Sequence, residues 1–281
     1  MPSRTRRRVR VLPLVTLSSD LGAAYAAQMK AVLAHDLPAG AVVDLAHDLR
    51  PHDVVEAAFV VRAMAERFPH GTVHVVVVDP GVGGARAPVV VRCRDGSVLV
   101  GPDNGVLVPL AEALGGGSAY RIDPARLRTP PRVGTTFDGR DVFAPAAARV
   151  ASGVDPRSLG PPTTLRRLRG RPARRTDAGA VGSVVHVDRF GNLVTDVPTA
   201  WVPAGATRLG LRLGRTRRDL DLVRSYEQGG RGRLVALGSS FGTLELAVGR
   251  GRAAATVHAE VGTRVSFRWS TARAPPARRK R

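Results

Sequence analysis

A glycine-rich loop separates a carboxylate from a guanidinium in the segment that runs from Val78-Asp79-Pro80-Gly81 to Arg86. The loop departs from the dinucleotide-binding fingerprint, because proline follows the acid and a strand pattern follows the loop. No helix N-terminus would then face a pyrophosphate. Two interpretations remain open. Either Asp79 belongs to a tight Asp-Pro-Gly turn, or the loop brings Asp79 and Arg86 together to act on one small molecule.

Two more acidic segments follow apolar runs, which is where open α/β sheets bind ligands. Asp20 lies in the segment Ser-Ser-Asp-Leu-Gly. Its carboxylate could accept hydrogen bonds from a ribose diol or cap the next helix, and the sequence favours neither. Residues 44–53 hold three aspartates and two histidines, including His52. Because their spacing matches no established zinc motif, we predict a loop that borders a pocket rather than a metal site.

Two further segments in this half carry more charge and amide than a plain turn needs. They are Pro-Asp-Asn-Gly, which contains Asn104, and Thr-Phe-Asp-Gly-Arg-Asp, which contains Asp138. Later in the chain, glycine stands beside phenylalanine in Asp-Arg-Phe-Gly-Asn (188–192) and in Gly-Ser-Ser-Phe-Gly (238–242). These two segments are either tight β-turns or parts of a purine pocket, in which phenylalanine would stack on the base and asparagine would bond its edge.

The elements that must position these residues alternate between strand and helix in residues 11–160. Strand patterns cover residues 12–17, 41–45, 72–78, 89–93 and 98–100, and helical patterns cover residues 23–35, 53–67, 106–114 and 141–151. This alternation predicts an α/β domain with a Rossmann-like, mostly parallel sheet. Such a sheet would hold the polar loops at the ends of its strands.

The rest of the chain shows a different sequence pattern. Residues 161–178 are rich in Pro, Gly, Thr and Arg without an apolar period, so we predict a linker there. Residues 179–270 contain short β-like runs separated by glycine and polar turns, which predicts a smaller all-β barrel domain. Residues 1–10 and 271–281 are predicted to be basic tails, the second of them disordered.

Composition narrows the class of protein. The single cysteine, Cys93, excludes an internal disulfide, so we expect a protein of the reducing cytoplasm. No apolar stretch approaches the roughly 20 residues that span a bilayer, so we expect no membrane partner. The formal net charge of +20 suggests nucleic-acid binding. Much of that excess lies in residues 4–10, 166–175 and 278–281, however, and aromatic residues make up only 4% of the chain. We therefore expect no specific nucleic-acid partner.

Six motifs, taken in order, resemble those of the S-adenosylmethionine hydroxide adenosyltransferases, a family related to the fluorinating and chlorinating enzymes that use the same substrate. The resemblance runs from about residue 15 to residue 267. The motifs are Asp20-Leu-Gly, Val78-Asp-Pro-Gly-Val-Gly through Arg86, Pro102-Asp-Asn-Gly, Thr136-Phe-Asp-Gly-Arg-Asp, Asp188-Arg-Phe-Gly-Asn and Ser240 through Leu244-Glu-Leu-Ala.

The resemblance implies hydrolysis of S-adenosylmethionine to adenosine and methionine, without a cofactor or a metal. It also implies a homotrimer whose active sites lie between the N-terminal domain of one subunit and the C-terminal domain of the next. The implied catalytic set, which activates water, is Asp79, Arg86 and the residue at position 138. The implied substrate-binding residues are Asp20 and His52 at the ribose, Asp188 and Ser240 at the methionine end, Phe190 and Asn192 at adenine, with Asn104 and Phe241 completing the set.

The chain departs from the family pattern at one catalytic position. The family's usual Thr-Phe-His-Gly-Arg-Asp is here Thr-Phe-Asp-Gly-Arg-Asp, so Asp138 replaces a histidine. We expect activity to be retained, with Arg86 stabilising the developing hydroxide and Asp79 orienting it or taking its proton. The alternatives are a substrate-binding protein with weakened catalysis and a halogenase. The halogenase is disfavoured because carboxylates repel a halide ion.

Overall fold

The computed structural model describes residues 13–38, 40–127, 134–168 and 170–270. The chain divides into two compact units, residues 1–169 and residues 170–281. The predicted basic tails at residues 1–10 and 271–281 lie outside the described residues. Within the described ranges, no helix is long and apolar enough to cross a membrane.

The first unit is built on a seven-stranded sheet. Its strands lie in the order β2-β1-β3-β5-β4-β6-β7. The strands β2, β1, β3 and β5 run parallel, whereas β4, β6 and β7 pair antiparallel with their neighbours. The prediction of a Rossmann-like α/β domain is confirmed, and the sheet carries an additional antiparallel side. The strands are β1 (Val15–Ser19), β2 (Val42–Ala46), β3 (Val73–Val77), β4 (Pro88–Cys93), β5 (Val98–Pro102), β6 (Gly117–Arg121) and β7 (Pro162–Thr163).

The helices of this unit cover both faces of the sheet. They are α1 (Gly22–Ala34), α2 (Val54–Ala65), α3 (Val108–Ala113) and α4 (Ala144–Ala151). Helices α1 and α4 pack together over the core that contains Val73, Val75 and Val77, and α2 packs against α3. The chain moves from β1 to β2 in one direction and from β2 to β3 in the other, so right-handed crossovers place α1 and α2 on opposite faces. Strand β3 is therefore buried on both faces, which explains its β-branched run, interrupted only by His74.

Helix boundaries follow local sequence signals. The Asp53 carboxylate accepts a hydrogen bond from Glu56 N at 2.9 Å and caps α2, as its position before the helical pattern predicts. Helix α4 is preceded by a π-helical turn, Gly139–Phe143, that continues directly into it. The helix predicted over residues 141–151 therefore begins with a different hydrogen-bond pattern, and this turn lies beside the site described below.

The second unit is an antiparallel, nearly closed barrel. Its strands lie in the order β12-β11-β15-β9-β10-β14-β13, with β8 paired to β9, and a bridge between Leu222 and Ala236 connects the two ends of this path. Leu193, Leu246 and Phe267 belong to its core. The predicted β-barrel is confirmed. Its elements are β8 (Arg174–Thr176), β9 (Gly179–Val187), β10 (Leu193–Pro198), β11 (Arg208–Leu213), β12 (Thr216–Asp221), α5 (Tyr226–Gly229), β13 (Leu234–Gly238), β14 (Thr243–Val248), α6 (Ala253–Val257) and β15 (Arg264–Ser270).

The segment predicted as a linker contains two short strands. Strand β7 pairs with β6 in the first unit, and β8 pairs with β9 in the second. The boundary between the units falls after residue 169, inside residues 161–178. Short edge strands are held by backbone hydrogen bonds and need no apolar period, so the composition of this segment carried no sign of them.

Candidate active site

The carboxyl ends of the parallel strands carry several of the predicted site residues. Asp20 follows β1, Asp79 lies two residues after β3, and Asn104 lies two residues after β5. Strands β1 and β3 are direct neighbours, with Ser19 paired to Val77, although the chain forms β2 between them. The strand order therefore reverses between β1 and β3. Open α/β sheets bind ligands in the crevice at such a switch point.

Asp79, Arg86 and Asp138 form one ion-pair cluster at this edge. Arg86 Nε donates to Asp79 Oδ1 at 2.9 Å, and Arg86 Nη2 donates to both Asp79 Oδ2 and Asp138 Oδ2. All three side chains are nearly buried: Arg86 is 7% exposed, Asp79 6% and Asp138 9%. Two carboxylates and one guanidinium together carry one formal negative charge. The structure thus brings together the three residues that were predicted to be catalytic.

The glycine-rich loop shapes this cluster. Asp79 Oδ1 also accepts a hydrogen bond from Gly81 N at 3.3 Å, so this carboxylate supports the turn as well as the ion pair. A Cβ on Gly81 would lie 3.1 Å from Arg86 Cγ. Gly83 has a φ of +75°, and a Cβ there would lie 3.0 Å from the Thr135 carbonyl oxygen. Glycine therefore lets Arg86 fold back over the loop. The turn and the contact between Asp79 and Arg86 coexist, and their action on a small molecule stays a prediction.

Asp138 reaches the cluster from the start of the π-helical turn before α4, a type of turn that is frequent at functional sites. The Arg86 guanidinium lies 5.4 Å from the centroid of the Phe143 ring, in a cation–π contact. Burial acts to lower the pKa of Arg86, but its hydrogen bonds to Asp79 and Asp138 outweigh burial and raise that pKa above its ordinary value. Arg86 is therefore a permanent cation that can stabilise negative charge on an oxygen atom.

A cavity of about 490 Å³ opens beside Arg86 and Asp138. The glycines of the loop line one part of it, and Ile122 and Val142 contribute apolar surface. Small-molecule sites typically enclose roughly 300–1,000 Å³. Arg86 and Asp138 are thus reachable by a small molecule from this side, whereas Asp79 does not line the cavity.

Asp20 is held by the backbone of the loop before α2. Its Oδ2 accepts a hydrogen bond from His52 N at 2.8 Å, and His52 adopts a left-handed φ of 67°. Its Oδ1 is buried and has no hydrogen-bond partner among the residues that the structure describes. Leu21 occupies the cap position of α1 and makes no side-chain cap bond, so the helix-cap interpretation of Asp20 is not supported. A buried carboxylate oxygen without a donor is costly, which makes Oδ1 available to a ligand hydroxyl.

Asn104 ties two strand ends together. Its Nδ2 donates to the Val78 carbonyl at 2.9 Å, and its Oδ1 accepts from Val106 N at 3.1 Å. Both ends of the amide thus fix the backbone next to Asp79. Substrate binding by Asn104 stays a prediction.

Asp188 organises the turn between β9 and β10 in the second unit. Its Oδ1 accepts from Phe190 N and Asn192 N, both at 2.9 Å, and its Oδ2 accepts from Asn192 Nδ2 at 2.9 Å. Gly191 has a φ of +83°, as a tight turn requires. The Phe190 side chain is 68% exposed, which leaves its ring open to stacking. The turn interpretation holds, and the purine pocket stays a prediction.

The turn between β13 and β14 contains the other predicted substrate residues of this unit. Ser240 is exposed, and Phe241 packs edge-on against His186 with the ring centroids 5.8 Å apart. The Ser239 hydroxyl accepts a hydrogen bond from Phe241 N at 3.2 Å and fixes the turn. Recognition of the methionine end by Ser240 stays a prediction.

A polar pair near Asp188 was missed by sequence reasoning. Glu245 is buried in β14, and its Oε1 accepts a hydrogen bond from the Tyr226 hydroxyl at 2.7 Å. Burial raises the pKa of Glu245. The Tyr226 bond and His186 oppose that shift, and the charge of Asp188 adds to it. A charged residue inside the apolar run Leu-Glu-Leu-Ala was the available signal.

Residues 44–53 form hydrogen bonds rather than a metal site. Among the described residues, no group of three or more His, Cys, Asp or Glu side chains could hold a metal ion. His47 instead bonds Asp44 at 3.0 Å and Ser19 at 2.8 Å, and Lys30 donates to Asp44 at 2.9 Å. Ser19 and Lys30 lie far from this segment in sequence, so only the folded chain reveals the connection.

Comparison with protein families decides the membership of the chain. The family model of the SAM hydroxide adenosyltransferase N-terminal domain matches residues 15–160, and that of the C-terminal domain matches residues 182–266. The chain belongs to the SAM hydroxide adenosyltransferase family. The resemblance inferred from the six motifs is thereby confirmed.

Relatives of this chain include proteins named as hydrolases and proteins named as fluorinases. A protein of Thermus thermophilus named (R)-S-adenosyl-L-methionine hydrolase is 39% identical over 82% of this chain and 88% of its own length. One of the same name from Salinispora arenicola is 37% identical over 86% of this chain and 92% of its own length. A fluorinase of an Actinoplanes species is 28% identical over 84% of this chain and 90% of its own length. Hydrolases are therefore nearer in sequence than this fluorinase.

Two solved structures support the fold of this family member. The crystal structure of an uncharacterised conserved protein from Thermotoga maritima superimposes with a TM-score of 0.84 at 29% identity, covering 91% of this chain and all of that one. A conserved hypothetical protein from Thermus thermophilus gives a TM-score of 0.72 at 37% identity, covering 92% of this chain and all of its own.

Proposed function

We propose that this chain hydrolyses S-adenosyl-L-methionine to adenosine and L-methionine. The observation that carries the proposal is the nearly buried Arg86 held between Asp79 and Asp138 at the switch point of the sheet. The hydrolase names of relatives at 36–39% identity support the same reaction. Those names specify the (R) form of the substrate, and we extend the proposal to that configuration at sulfur.

To catalyse this reaction, the protein must align the water with C5′ and stabilise the developing charge. It does not need to form a covalent intermediate. The sulfonium makes C5′ electrophilic, and its sulfur leaves as the neutral thioether of methionine. Water attacks C5′ in line with the breaking C–S bond and gives up one proton. Arg86 stabilises the developing hydroxide, Asp79 orients the water or takes its proton, and Asp138 is the second carboxylate on the guanidinium.

The charge of the cluster selects water over a halide. One formal negative charge on Asp79, Arg86 and Asp138 attracts the sulfonium cation of the substrate and repels a halide anion. Because the three side chains are nearly buried, this repulsion is screened less than at a protein surface. Hydrolysis is therefore favoured over halogenation on electrostatic grounds.

We extend the proposal to the remaining parts of the substrate. Asp20 binds the ribose hydroxyls, beside His52, and the exposed Phe190 ring stacks on adenine, with Asn192 at its edge. Asp188 and Ser240 hold the ammonium and carboxylate of methionine. We further propose a homotrimer in which neighbouring subunits complete each site, and a solution mass of three chains would support it.

Product analysis in labelled water tests the proposed reaction. The purified protein is incubated with the (R) and (S) sulfonium epimers separately, in ¹⁸O-water that contains chloride or fluoride, and the products are chromatographed. We expect adenosine that carries ¹⁸O at its 5′ oxygen, formed from the (R) epimer. Unlabelled adenosine, a 5′-halogenated nucleoside, or no product at all would overturn the proposal.

A further inference from the structure

A chain of hydrogen bonds runs from the buried end of β1 to the protein surface. The hydroxyl of Ser19 and Nδ1 of His47 are 2.8 Å apart, and Nε2 of His47 is 3.0 Å from Asp44 Oδ1. Lys30 Nζ donates to Asp44 Oδ2 at 2.9 Å. These residues are separate from the Arg86 cluster, and the proposed reaction gives them no role.

The arrangement has the composition of a Ser-His-Asp triad, but it cannot act as one. Ser19 has 0% of its surface exposed, so its hydroxyl cannot reach an acyl group of a substrate. The hydrogen-bonded chain can therefore act only by fixing the positions of the residues that it connects. The side chains of Lys30 and Asp44 are 40% and 48% exposed, whereas that of His47 is only 16% exposed. The inner bond, from His47 to Ser19, is thus the one that solvent weakens least.

The bond between Ser19 and His47 lies where the β-ladder has ended on one side of β1. Strand β1 pairs with β2 only as far as Ser18, after a register irregularity between Leu17 and Ser18. On the other side Ser19 still pairs with Val77 of β3. The bond between the Ser19 hydroxyl and the His47 ring is therefore a side-chain contact between the two segments just beyond their last ladder pair, Ser18 and Ala46.

The next residue in the chain is Asp20. Its Oδ2 is fixed by His52 N at 2.8 Å, and its buried Oδ1 has no partner within the described part of the chain. The direction in which Oδ1 points depends on how the backbone of Ser19 is held. A contact that fixes Ser19 thus also fixes the free acceptor of Asp20.

We propose that His47 is a positioning residue that holds Ser19, and through Ser19 the Asp20 carboxylate, in the orientation that accepts the ribose hydroxyls of the nucleoside. This inference rests on the proposed function, because it takes the ligand at Asp20 to be a ribose. Asp44 and Lys30 orient the imidazole from its outer side and have a smaller effect.

Binding of two nucleosides tests the proposal. Dissociation constants of adenosine and of 2′,3′-dideoxyadenosine, which lacks both ribose hydroxyls, are measured by calorimetry for the wild type and for His47→Ala. The variant should bind adenosine about fivefold more weakly, the effect of losing one well-placed hydrogen bond, and should bind dideoxyadenosine with unchanged affinity. Ser19→Ala should act in the same way, and the double variant should be no worse than either single variant.

Matched variants keep the test falsifiable. His70 is also paired with an aspartate, at 3.1 Å, but it precedes β3 and so lies at the amino ends of the parallel strands, opposite Asp20. His70→Ala should therefore leave the affinities for both nucleosides unchanged. If His47→Ala unfolds, His47→Gln retains an amide that can bond Ser19 and should recover most of the adenosine affinity. Equal weakening of both nucleosides, or no weakening of adenosine, would overturn the proposal. Calorimetry needs no turnover, so a wild type that binds adenosine without hydrolysing substrate would refute the proposed function and leave this test valid.

Discussion

Arg86 is the residue whose geometry the chemistry demands most directly. It bonds Asp79 through Nε and Nη2 and shares Nη2 with Asp138. Lysine would keep the charge but lose this planar fork. Arg86→Lys should therefore lower kcat by about 100-fold or more, as loss of a charge-stabilising donor does, while the affinity for 5′-deoxyadenosine, which lacks the 5′ oxygen, stays unchanged. Initial rates and calorimetry on the same preparation measure both quantities.

A matched arginine separates this effect from a general one. Arg157 pairs with Asp155 at 3.0 Å on the surface, where 65% of its side chain is exposed. Arg157→Lys should leave kcat unchanged. A comparable loss in both variants would mean that Arg86 acts through stability and not through the reaction.

Whether the protein is an active enzyme or a binding protein with weakened catalysis depends on the effect of Asp138. It occupies the position of the family's histidine, yet it bonds Arg86 within the cluster. Because Asp138 already bonds the guanidinium, we expect Asp138→His to give no gain in kcat. Steady-state rates on S-adenosylmethionine measure it. A large gain in turnover, together with an inactive wild type, would show that the departure from the family pattern had disabled the site.

The predictability of the site differs between its residues. Asp79 and Arg86 share one loop, so their types and spacing predicted the contact between them as one of two open interpretations. Asp138 lies outside that loop and was connected to it only through a family motif. The bond between Ser19 and His47 depends on where the pairing of β1 with β2 stops. That register follows from the packing of the whole sheet, and no local pattern encodes it.

At the scale of elements, the π-helical turn before α4 depends on the absence of a side chain at Gly139. A Cβ there would lie 2.7 Å from Met29 Sδ, 2.9 Å from the Phe137 ring and 3.1 Å from Val77 Cγ1. Gly139→Ala should therefore displace the turn and Asp138 with it. We expect a loss of about 1–3 kcal/mol in the free energy of unfolding, as overpacking causes, together with a fall in kcat.

Gly134 supplies the control for this prediction, since a Cβ there would meet nothing within 4 Å. Gly134→Ala should change neither the urea midpoint nor the rate. Unchanged stability and activity in Gly139→Ala would contradict the argument that the turn positions Asp138.

The pairing of β1 with β3 contains a buried histidine that makes stability depend on pH. His74 lies in β3, its Nδ1 is 2.8 Å from the Thr16 hydroxyl, and burial lowers its pKa from 6.5 to about 4, against a smaller opposing effect of Asp95. The unfolded chain then binds a proton more readily than the folded one. The free energy of unfolding should fall as the pH drops from 6.5 towards 4, by about 3 kcal/mol from this residue alone.

Urea titrations across that pH range measure the effect against a variant that cannot titrate. His74→Gln should flatten the part of the slope that lies between pH 6.5 and about 4. His35→Gln removes an exposed histidine after α1 and should leave the slope as it is. Identical slopes in the wild type and His74→Gln would show that His74 does not govern this transition.

Burial explains which elements were predictable. Strand β3 is buried along its whole length, so its sequence is almost purely apolar and β-branched. Strands β6 and β8 are half exposed or exposed, and their sequences, Gly-Ser-Ala-Tyr-Arg and Arg-Arg-Thr, have no apolar pattern. They form because neighbouring strands offer backbone partners. Such pairing is a property of the fold and leaves little trace in the segment itself.

For the whole molecule, half of the formal net charge lies in the first 12 and last 11 residues of the sequence. Residues 1–12 and 271–281 contain ten Lys and Arg residues and no acid, so removing both segments halves the formal net charge of +20. The shortened protein should lose most of its binding to duplex DNA at low salt while keeping kcat and KM for S-adenosylmethionine. Fluorescence anisotropy with DNA over a salt series measures the first. Salt-resistant DNA binding by the shortened protein would contradict the expectation that DNA binding is non-specific and caused by the charge of the two removed segments.

Hydrolysis at the Arg86 cluster requires that C5′ of the nucleoside lie next to Arg86 and Asp79. A crystal structure of the protein soaked with adenosine and methionine measures this directly. We predict that the 5′ oxygen of adenosine lies within hydrogen-bond distance, about 3 Å, of both Arg86 and Asp79, with the methionine sulfur on the opposite side of C5′. A bound nucleoside whose 5′ carbon lies away from both side chains would contradict the proposed hydrolysis.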